Sequence, residues 1–416
     1  MSNAGPASGP KPSVGVTGAR PARVVQLHFG RFVHPIYREQ MHAIPDGFLY
    51  RATHPALEDE TTPTKRIVEQ RARFAATRTL GERLALRLLS RAGYVHRVRA
   101  PRLEGAALIH SAERLLHRAP LPYVVDFEHA ELFVLYQRLA LSRPWARHVL
   151  ASALDDERLR FLLPWSEMAS RSLEGALGAD VAARLRPRTR VVYPALRQAA
   201  ERPPARVDRE LRVLFVGTAF YEKGAVEAIR AVQRVAATHP IHLDLLSYVP
   251  DDWAQQLRAD PAITLHRPGG ADVVRNLYRR AHAFLFPSHM DTFGYVALEA
   301  MAHGLPVLAP RYLTQAELVR DEVTGLLFPG ENPLYGEDTR CRFRSTLPPP
   351  RAFLEALRSP SEPYVEGIAG ALRRLVDDPD LHHRLAAAAL AEVAEGRFSI
   401  ARRREALGEI YESALE

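Results

Sequence analysis

Short apolar runs alternating with amphipathic stretches, in both halves of the chain, constrain the fold more than any other feature. Leu211–Val216 (LRVLFV) is apolar almost throughout, as strands buried on both faces of a parallel sheet are. Beyond it, Val226, Ile229, Val232 and Val235 recur at helical spacing, with Arg230 and Arg234 on the other side. The same grammar predicts strands at Ile241–Leu246, Ala283–Phe286, Pro306–Ala309 and Gly325–Phe328. Helices are predicted at Val273–Ala281, Tyr295–Ala302 and Thr314–Val319, and over Tyr364–Glu416 with breaks near Asp378-Pro379 and Gly396. In the first half, Arg23–Phe29, Ala107–His110 and Tyr123–Phe127 read as strands, with Phe161–Leu163 and Val191–Tyr193 as shorter candidates and Arg66–Leu89 as a long helix. Alternation of this kind predicts an α/β architecture of parallel sheets covered by helices.

At 416 residues, two domains are expected. The boundaries read as a disordered lead-in over 1–22, a first domain over 23–200, a linker over 201–210 around Arg202-Pro-Pro-Ala-Arg206, a second domain over 211–390 and a helical segment over 391–416. Residues Pro329–Pro363, rich in proline and charge, read as an irregular insertion. The single cysteine, Cys341, excludes an intramolecular disulfide. No apolar run approaches the roughly 20 residues that span a bilayer, and the lead-in lacks the apolar core of a signal peptide. The expectation is a cytoplasmic protein. A net charge of +8 admits anionic partners. Nearly all of the basic residues are arginine, a common compositional bias, and no nucleic-acid-binding motif accompanies them, so no nucleic-acid partner is expected.

The informative segment is Pro287–Pro310, PSHMDTFGYVALEAMAHGLPVLAP. A loop, Ser288–Gly294, connects a strand end to a helix N-terminus, where ligands of open α/β sheets bind and where exposed N–H groups favour a phosphate. Gly294 lets the backbone approach a ligand closely. Glu299 stands alone among Tyr295, Val296, Ala297, Leu298, Ala300, Met301 and Ala302. It fits an exposed stripe, an i,i+4 contact with His303, or a buried site satisfied by a ligand's diol. The turn Gly217–Gly224 (GTAFYEKG) carries Lys223. A lysine there suits a diphosphate, although a lone loop lysine is ordinarily solvated.

Together these segments resemble the C-terminal domain of retaining GT-B glycosyltransferases of family four. The resemblance runs through Asp291-Thr-Phe-Gly294, Glu299-Ala-Met-Ala-His-Gly304-Leu-Pro306-Val307, and Glu317-Leu-Val-Arg-Asp321 with Thr324-Gly325, and covers roughly Leu211 to Glu416. It implies two Rossmann-like domains facing a central cleft. The last helix, ending Ile410-Tyr411-Glu412, would cross back onto the first domain. Asp291 would hold donor-sugar hydroxyls. Phe293 and Gly294 would present backbone N–H groups, Glu299 would bind the ribose, and Lys223 the diphosphate, with Gly217 and Thr218 lining the turn. Two departures stand out. The first acid of the motif is usually glutamate and here is Asp291, and Thr218 stands where an arginine usually follows the glycine.

The first half is less family-like. His28-Phe-Gly30-Arg31 replaces a glycine-rich loop, so Gly30 and Arg31 are candidates for the acceptor side, beside the plainer reading of a structural turn. His129, after Tyr123–Phe127 and near Asp126 and Glu128, matches the family's histidine facing the donor sugar. His110-Ser111 is a weaker candidate for the same cleft, and Ser166 reads most simply as a helix cap. The basic region Arg87–Arg102 could touch an anionic inner-membrane face or a lipid-linked acceptor, beside the plainer reading of an ordinary solvated face. The acid pairs Glu58-Asp-Glu60 and Asp378-Pro-Asp380 lie away from the other site elements, and the resemblance implies neither metal nor other cofactor.

The resulting expectation is a metal-independent, retaining hexosyltransferase. It would take a nucleoside diphosphate sugar as donor and a glycan, lipid-linked or small-molecule hydroxyl as acceptor. Lys223, Asp291 and His129 would be the catalytic residues. The alternatives are a degenerate sugar-nucleotide-binding subunit and a nucleotide-sugar epimerase on the same fold.

Overall fold

The computed structural model describes residues 22–29, 34–52, 88, 95–100, 102–134, 141, 143–204, 209–330 and 355–416. Gly30, Arg31, Glu58–Glu60 and Cys341 lie outside the described residues, as do nearly all of the lead-in and of Arg66–Leu89, and residues 331–354 of the Pro329–Pro363 insertion.

The first half contains β1 (Arg23–His28), β2 (Phe48–Ala52), β3 (Arg97–Val98), β4 (Ala106–Ala112), β5 (Leu115–Leu116), β6 (Tyr123–Phe127) and β7 (Leu159–Pro164). Its helices are α1 (Ile36–Gln40), α2 (Pro144–Leu154), α3 (Glu167–Leu177) and α4 (Ala179–Leu185). Five strands form one parallel sheet in the order β2-β1-β4-β6-β7, and β3 pairs with β5 beside it. Val191–Tyr193, expected as a strand, is not one. The chain only trails along β7, donating from Arg190 N to Leu162 O and from Val192 N to Pro164 O.

The second half contains β8 (Leu211–Val216), β9 (Ile241–Leu246), β10 (Ile263–His266), β11 (Ala283–Leu285), β12 (Val307–Pro310) and β13 (Gly325–Phe328). These form a six-stranded parallel sheet in the order β10-β9-β8-β11-β12-β13. Its helices are α5 (Ala225–Ala236), α6 (Asp251–Leu257), α7 (Ala271–Arg280), α8 (Tyr295–Ala302) and α9 (Leu313–Leu318). The chain closes with α10 (Glu362–Asp377), α11 (Pro379–Ala394) and α12 (Ile400–Leu415). Asp378 caps α11, its Oδ1 accepting from Leu381 N at 2.8 Å. Strand order reverses between β8 and β11, so the crevice at their carboxyl ends is the topological switch point where open α/β sheets take ligands.

Alternation along the strands sorts the core. On β8, Leu211, Val213 and Phe215 pack with α5 and α10, while Leu214 joins a second cluster. That second cluster also holds Val25 and Leu27 of the first sheet and Leu407 and Tyr411 of α12. One continuous core therefore spans both domains, and α12 returns to the first sheet to complete it. Among the described residues no helix is long and apolar enough to cross a membrane.

A buried polar network fixes α12 in place. Asp126 on β6 is 1% exposed and accepts from Tyr37 Oη at 2.7 Å. His110 Nε2 lies 3.4 Å and an Arg403 Nη 3.8 Å from its other oxygen. Arg403 also donates to Gln40 Oε1 (2.7 Å) and to the carbonyl of Tyr193 (2.8 Å), and His110 Nδ1 meets Tyr411 Oη at 2.6 Å. Burial works to raise the Asp126 pKa, but the bond and charge of His110, the Arg403 guanidinium and the Tyr37 hydroxyl together hold it below the usual range. His110 thus belongs to the interior seam with α12, contrary to its expected place along the cleft. Substituting Asp126→Ala leaves Arg403 buried without its carboxylate. It is expected to destabilise the protein by about 3–5 kcal/mol in urea unfolding, and a loss below about 1 kcal/mol contradicts this account.

Candidate functional site

Two loops meet at the switch point. After β8 the backbone turns through Gly217–Gly224, and Gly217 N donates to Leu246 O at 3.0 Å. Gly224 adopts φ +77°, and a Cβ there would stand 2.1 Å from the carbonyl oxygen of Pro287, so only glycine lets the turn lie on the second loop. That second loop follows β11. Within it, His289 N and Met290 N both donate to Glu222 O, at 2.9 and 3.3 Å.

Lys223 lies across this junction. Its Nζ is 2.6 Å from Asp291 Oδ2 and 2.8 Å from Met290 O. Both side chains remain partly accessible, 27% for Lys223 and 15% for Asp291. The family resemblance implies separate ligand partners for these two residues, and the fold makes them partners of each other. With two acceptors shown on its ammonium group, Lys223 retains part of its hydrogen-bonding capacity for a further anion. Thr218 is exposed and supplies no charge.

Gly294 forms the N-cap of α8 with φ +93°, and a Cβ would meet the Phe286 ring at 2.7 Å. The first amides of α8 lack intrahelical acceptors by construction. Phe293 is 2% exposed, its ring edge-on to Trp165 of the first domain at 6.2 Å. Glu299 lies on the second turn of α8 and is half-buried. Burial pushes its pKa up to about 7 against the opposing hydrogen bond from Tyr278 Oη at 3.2 Å. The neighbouring His303 does not reach this carboxylate; its Nδ1 lies 2.8 Å from the Glu299 backbone carbonyl, and its ring stacks on Tyr278 at 4.9 Å.

The first domain closes the opposite wall. Glu128, just beyond β6, accepts from Thr292 Oγ1 at 2.7 Å, so a carboxylate of one domain bonds the motif loop of the other. The adjacent His129 is 6% exposed, and its Nδ1 accepts from Glu131 N at 3.2 Å. His34 packs edge-on to Tyr295 at 5.3 Å. Ser166 caps α3, accepting from Ala169 N at 2.9 Å. The same helix end is held from the second domain by Glu317, whose carboxylate accepts from Glu167 N (2.6 Å), Met168 N (3.0 Å) and Tyr193 Oη (2.8 Å). Sequence reasoning noted Glu128 only as a neighbour of His129 and Thr292 only as a motif position, and passed over Tyr278 and the side-chain role of Glu317. Glu317 lay within a noted motif, whereas nothing local marks Tyr278, whose partner is 21 residues away on another helix.

The Thr292–Glu128 bond sets the Asp291 loop of the second domain against the end of β6, where the candidate residues of the first domain lie. Lys223, Asp291, Gly294 and Glu299 line the second domain, and Glu128 and His129 stand opposite. The described part of the crevice offers a cation, a helix N-terminus and a carboxylate of raised pKa, which suits a ligand bearing both phosphates and a diol.

Residues 210–335 match the family model described as glycosyl transferases group 1. The chain is 33% identical over 132 residues to an uncharacterized glycosyltransferase of Methanocaldococcus jannaschii, covering 30% of this chain and 34% of that protein. It is also 33% identical over 193 residues to a D-inositol 3-phosphate glycosyltransferase of Acidothermus cellulolyticus, covering 41% and 42%. It thus spans less than half the length of these curated relatives. Among solved structures, HepE of Anabaena in complex with UDP and glucose superposes with TM-score 0.56 at 16% identity, over 94% of this chain and 99% of that one. A glycosyltransferase from Rickettsia africae gives TM-score 0.58 at 11% identity, over 96% and 100%. The two facing parallel-sheet domains and the returning C-terminal helix are the GT-B fold.

The raised pKa of Glu299 has a consequence independent of any ligand. A carboxyl raised in the folded state favours folding while protonated. That contribution is complete below its ordinary value of 4.5 and is lost as pH rises through about 7. Between these limits the wild type is expected to lose stability relative to Glu299→Gln, as followed by thermal unfolding across the range. Parallel curves for the two proteins contradict the assignment.

Proposed function

We propose that this chain, whose second domain belongs to the glycosyl transferases group 1 family, transfers a hexose-type sugar from a nucleoside diphosphate sugar to an acceptor hydroxyl, with retention of anomeric configuration. The observation that carries this reading is the Lys223–Asp291 contact at the switch point, directly before the N-terminus of α8. In this reading the diphosphate takes up the remaining bonding capacity of Lys223 and the first amides of α8. Asp291 turns to the sugar hydroxyls, and Glu299 accepts from the ribose hydroxyls in its charged form. His129 orients the sugar from the opposite wall.

The acceptor oxygen bonds to the anomeric carbon as its bond to the diphosphate breaks, on the same face. The acceptor's proton passes to the departing phosphate oxygen. Lys223 and the helix N-terminus stabilise the charge that develops there, and the reading requires no metal. UDP is the first base to test, because HepE was solved in complex with UDP-glucose. The acceptor class includes glycans, lipid-linked sugars and small polyols, and two features bear on catalytic power. Thr218 supplies no second cation, and Asp291 already occupies the lysine.

Nucleotide release from UDP-, GDP- and ADP-sugars tests this. Lys223→Ala and Glu299→Ala are each expected to lower turnover by about 100-fold, Glu299→Ala with weakened donor binding as well. Tight sugar-nucleotide binding without turnover on any acceptor would instead indicate a binding subunit, and interconversion of the sugar without an acceptor would indicate an epimerase. Donor affinity is further expected to rise with pH through about 7 in the wild type, where Glu299 ionises, and to be flat in Glu299→Gln. Calorimetric titration at several pH values checks this, and an identical pH dependence in both proteins removes Glu299 from the donor site.

A further inference from the structure

A second cross-link lies beneath the first. Glu227, four residues beyond Lys223 in the first turn of α5, is 1% exposed. Its Oε1 lies 2.7 Å from Nε2 of His289, which is 4% exposed and two residues before Asp291. Burial alone would place an apolar side chain at 227, since Ala225, Val226, Ala228 and Ile229 are all fully buried around it. A carboxylate there needs a specific partner. Among the described residues its Oε2 has no hydrogen-bond partner, so the imidazole is what holds it.

The surrounding contacts show what the pair supports. Tyr364 Oη donates to Pro287 O at 3.1 Å. Tyr312 Oη and Gln315 Nε2 both donate to Ser288 O, at 3.1 and 2.9 Å. These bonds fix the loop backbone from below but do not reach α5. The His289 side chain is a buried hydrogen-bonded link from the loop to the helix that follows Lys223, beside the close approach of Gly224 to Pro287. Besides the backbone bonds from His289 N and Met290 N to Glu222 O, two side-chain pairs thus join the same segments, Lys223–Asp291 at the partly accessible face and Glu227–His289 in the interior. A diphosphate that draws Lys223 away from Asp291 loosens the first link and leaves the second intact.

We propose that Glu227 and His289 are positioning residues that hold the Lys223 turn and the Asp291 loop in register while the outer pair is exchanged for donor. This rests on the donor-site reading above. The test compares Glu227→Gln, Glu227→Ala and the apolar double variant Glu227→Leu/His289→Leu. A buried ion pair is often replaceable by apolar residues without loss of stability, so the double variant separates positioning from mere packing. Its melting temperature is expected to stay near wild type while turnover of UDP-glucose falls by about 100-fold, the scale of a small misplacement of reacting groups. Glu227→Gln keeps an acceptor for Nε2 and is expected to retain most turnover, whereas Glu227→Ala is not. Amide exchange across 287–294 is expected to quicken in the double variant and in Glu227→Ala, without added nucleotide. Wild-type turnover and unchanged exchange in the double variant overturn the proposal. If the double variant does not fold, equal loss in the Gln and Ala variants overturns it. If the wild type neither binds nor turns over any of the UDP-, GDP- and ADP-sugars, the donor reading fails, and exchange at 287–294 alone decides the positioning role.

Discussion

The close approach of two strand-end loops at the switch point is the constraint on which the rest of the site depends. Gly224 can lie against Pro287 only because it has no side chain, and that approach brings Lys223 within 2.6 Å of Asp291. The helix that begins at Tyr295 then directs its free amides to the same place. None of these groups is unusual alone. The parallel sheet brings their loops together at one edge by reversing strand order between β8 and β11.

The second wall is held by a different kind of contact. Apolar residues of both sheets form one core, into which α12 brings Arg403 and Tyr411 against Asp126 and His110. Nearer the crevice the contacts are polar or aromatic: Thr292 on Glu128, Glu317 on the first turn of α3, and Phe293 on Trp165. Polar contacts of this sort exchange readily with ligand groups, whereas the buried seam does not. The division places any adjustment of the cleft at its mouth, with the α12 seam as the fixed side.

Much of this was legible in the sequence because local pattern carried it. Tyr123–Phe127, Tyr295–Ala302 and Gly325–Phe328 appear with the bounds that the pattern predicts, since each is a largely apolar run between turn residues, with Asp126 and Glu299 as single acidic interruptions. Phe48–Ala52 and Ile263–His266 escaped notice because they are outermost strands of mixed polarity, FLYRA and ITLH, with half-exposed faces. Glu299 and Lys223 stood out by contrast with their neighbours. The seam could not be read this way. His110 and Tyr411 are 301 residues apart, and a histidine beside a strand end looks the same from sequence whether it faces a cleft or a returning helix. Glu227 was hidden for a related reason, as an acid in an amphipathic helix is ordinarily solvated.

The central claim is that Lys223, the first amides of α8 and Glu299 bind one nucleoside diphosphate sugar. A crystal structure after soaking with UDP-, GDP- or ADP-glucose tests it most directly. The account predicts the diphosphate on Lys223 Nζ and the first N–H groups of α8, the ribose hydroxyls on Glu299, and the Lys223–Asp291 contact opened toward the sugar. Nucleotide bound elsewhere, or bound here with that contact unchanged and Glu299 untouched, would contradict it.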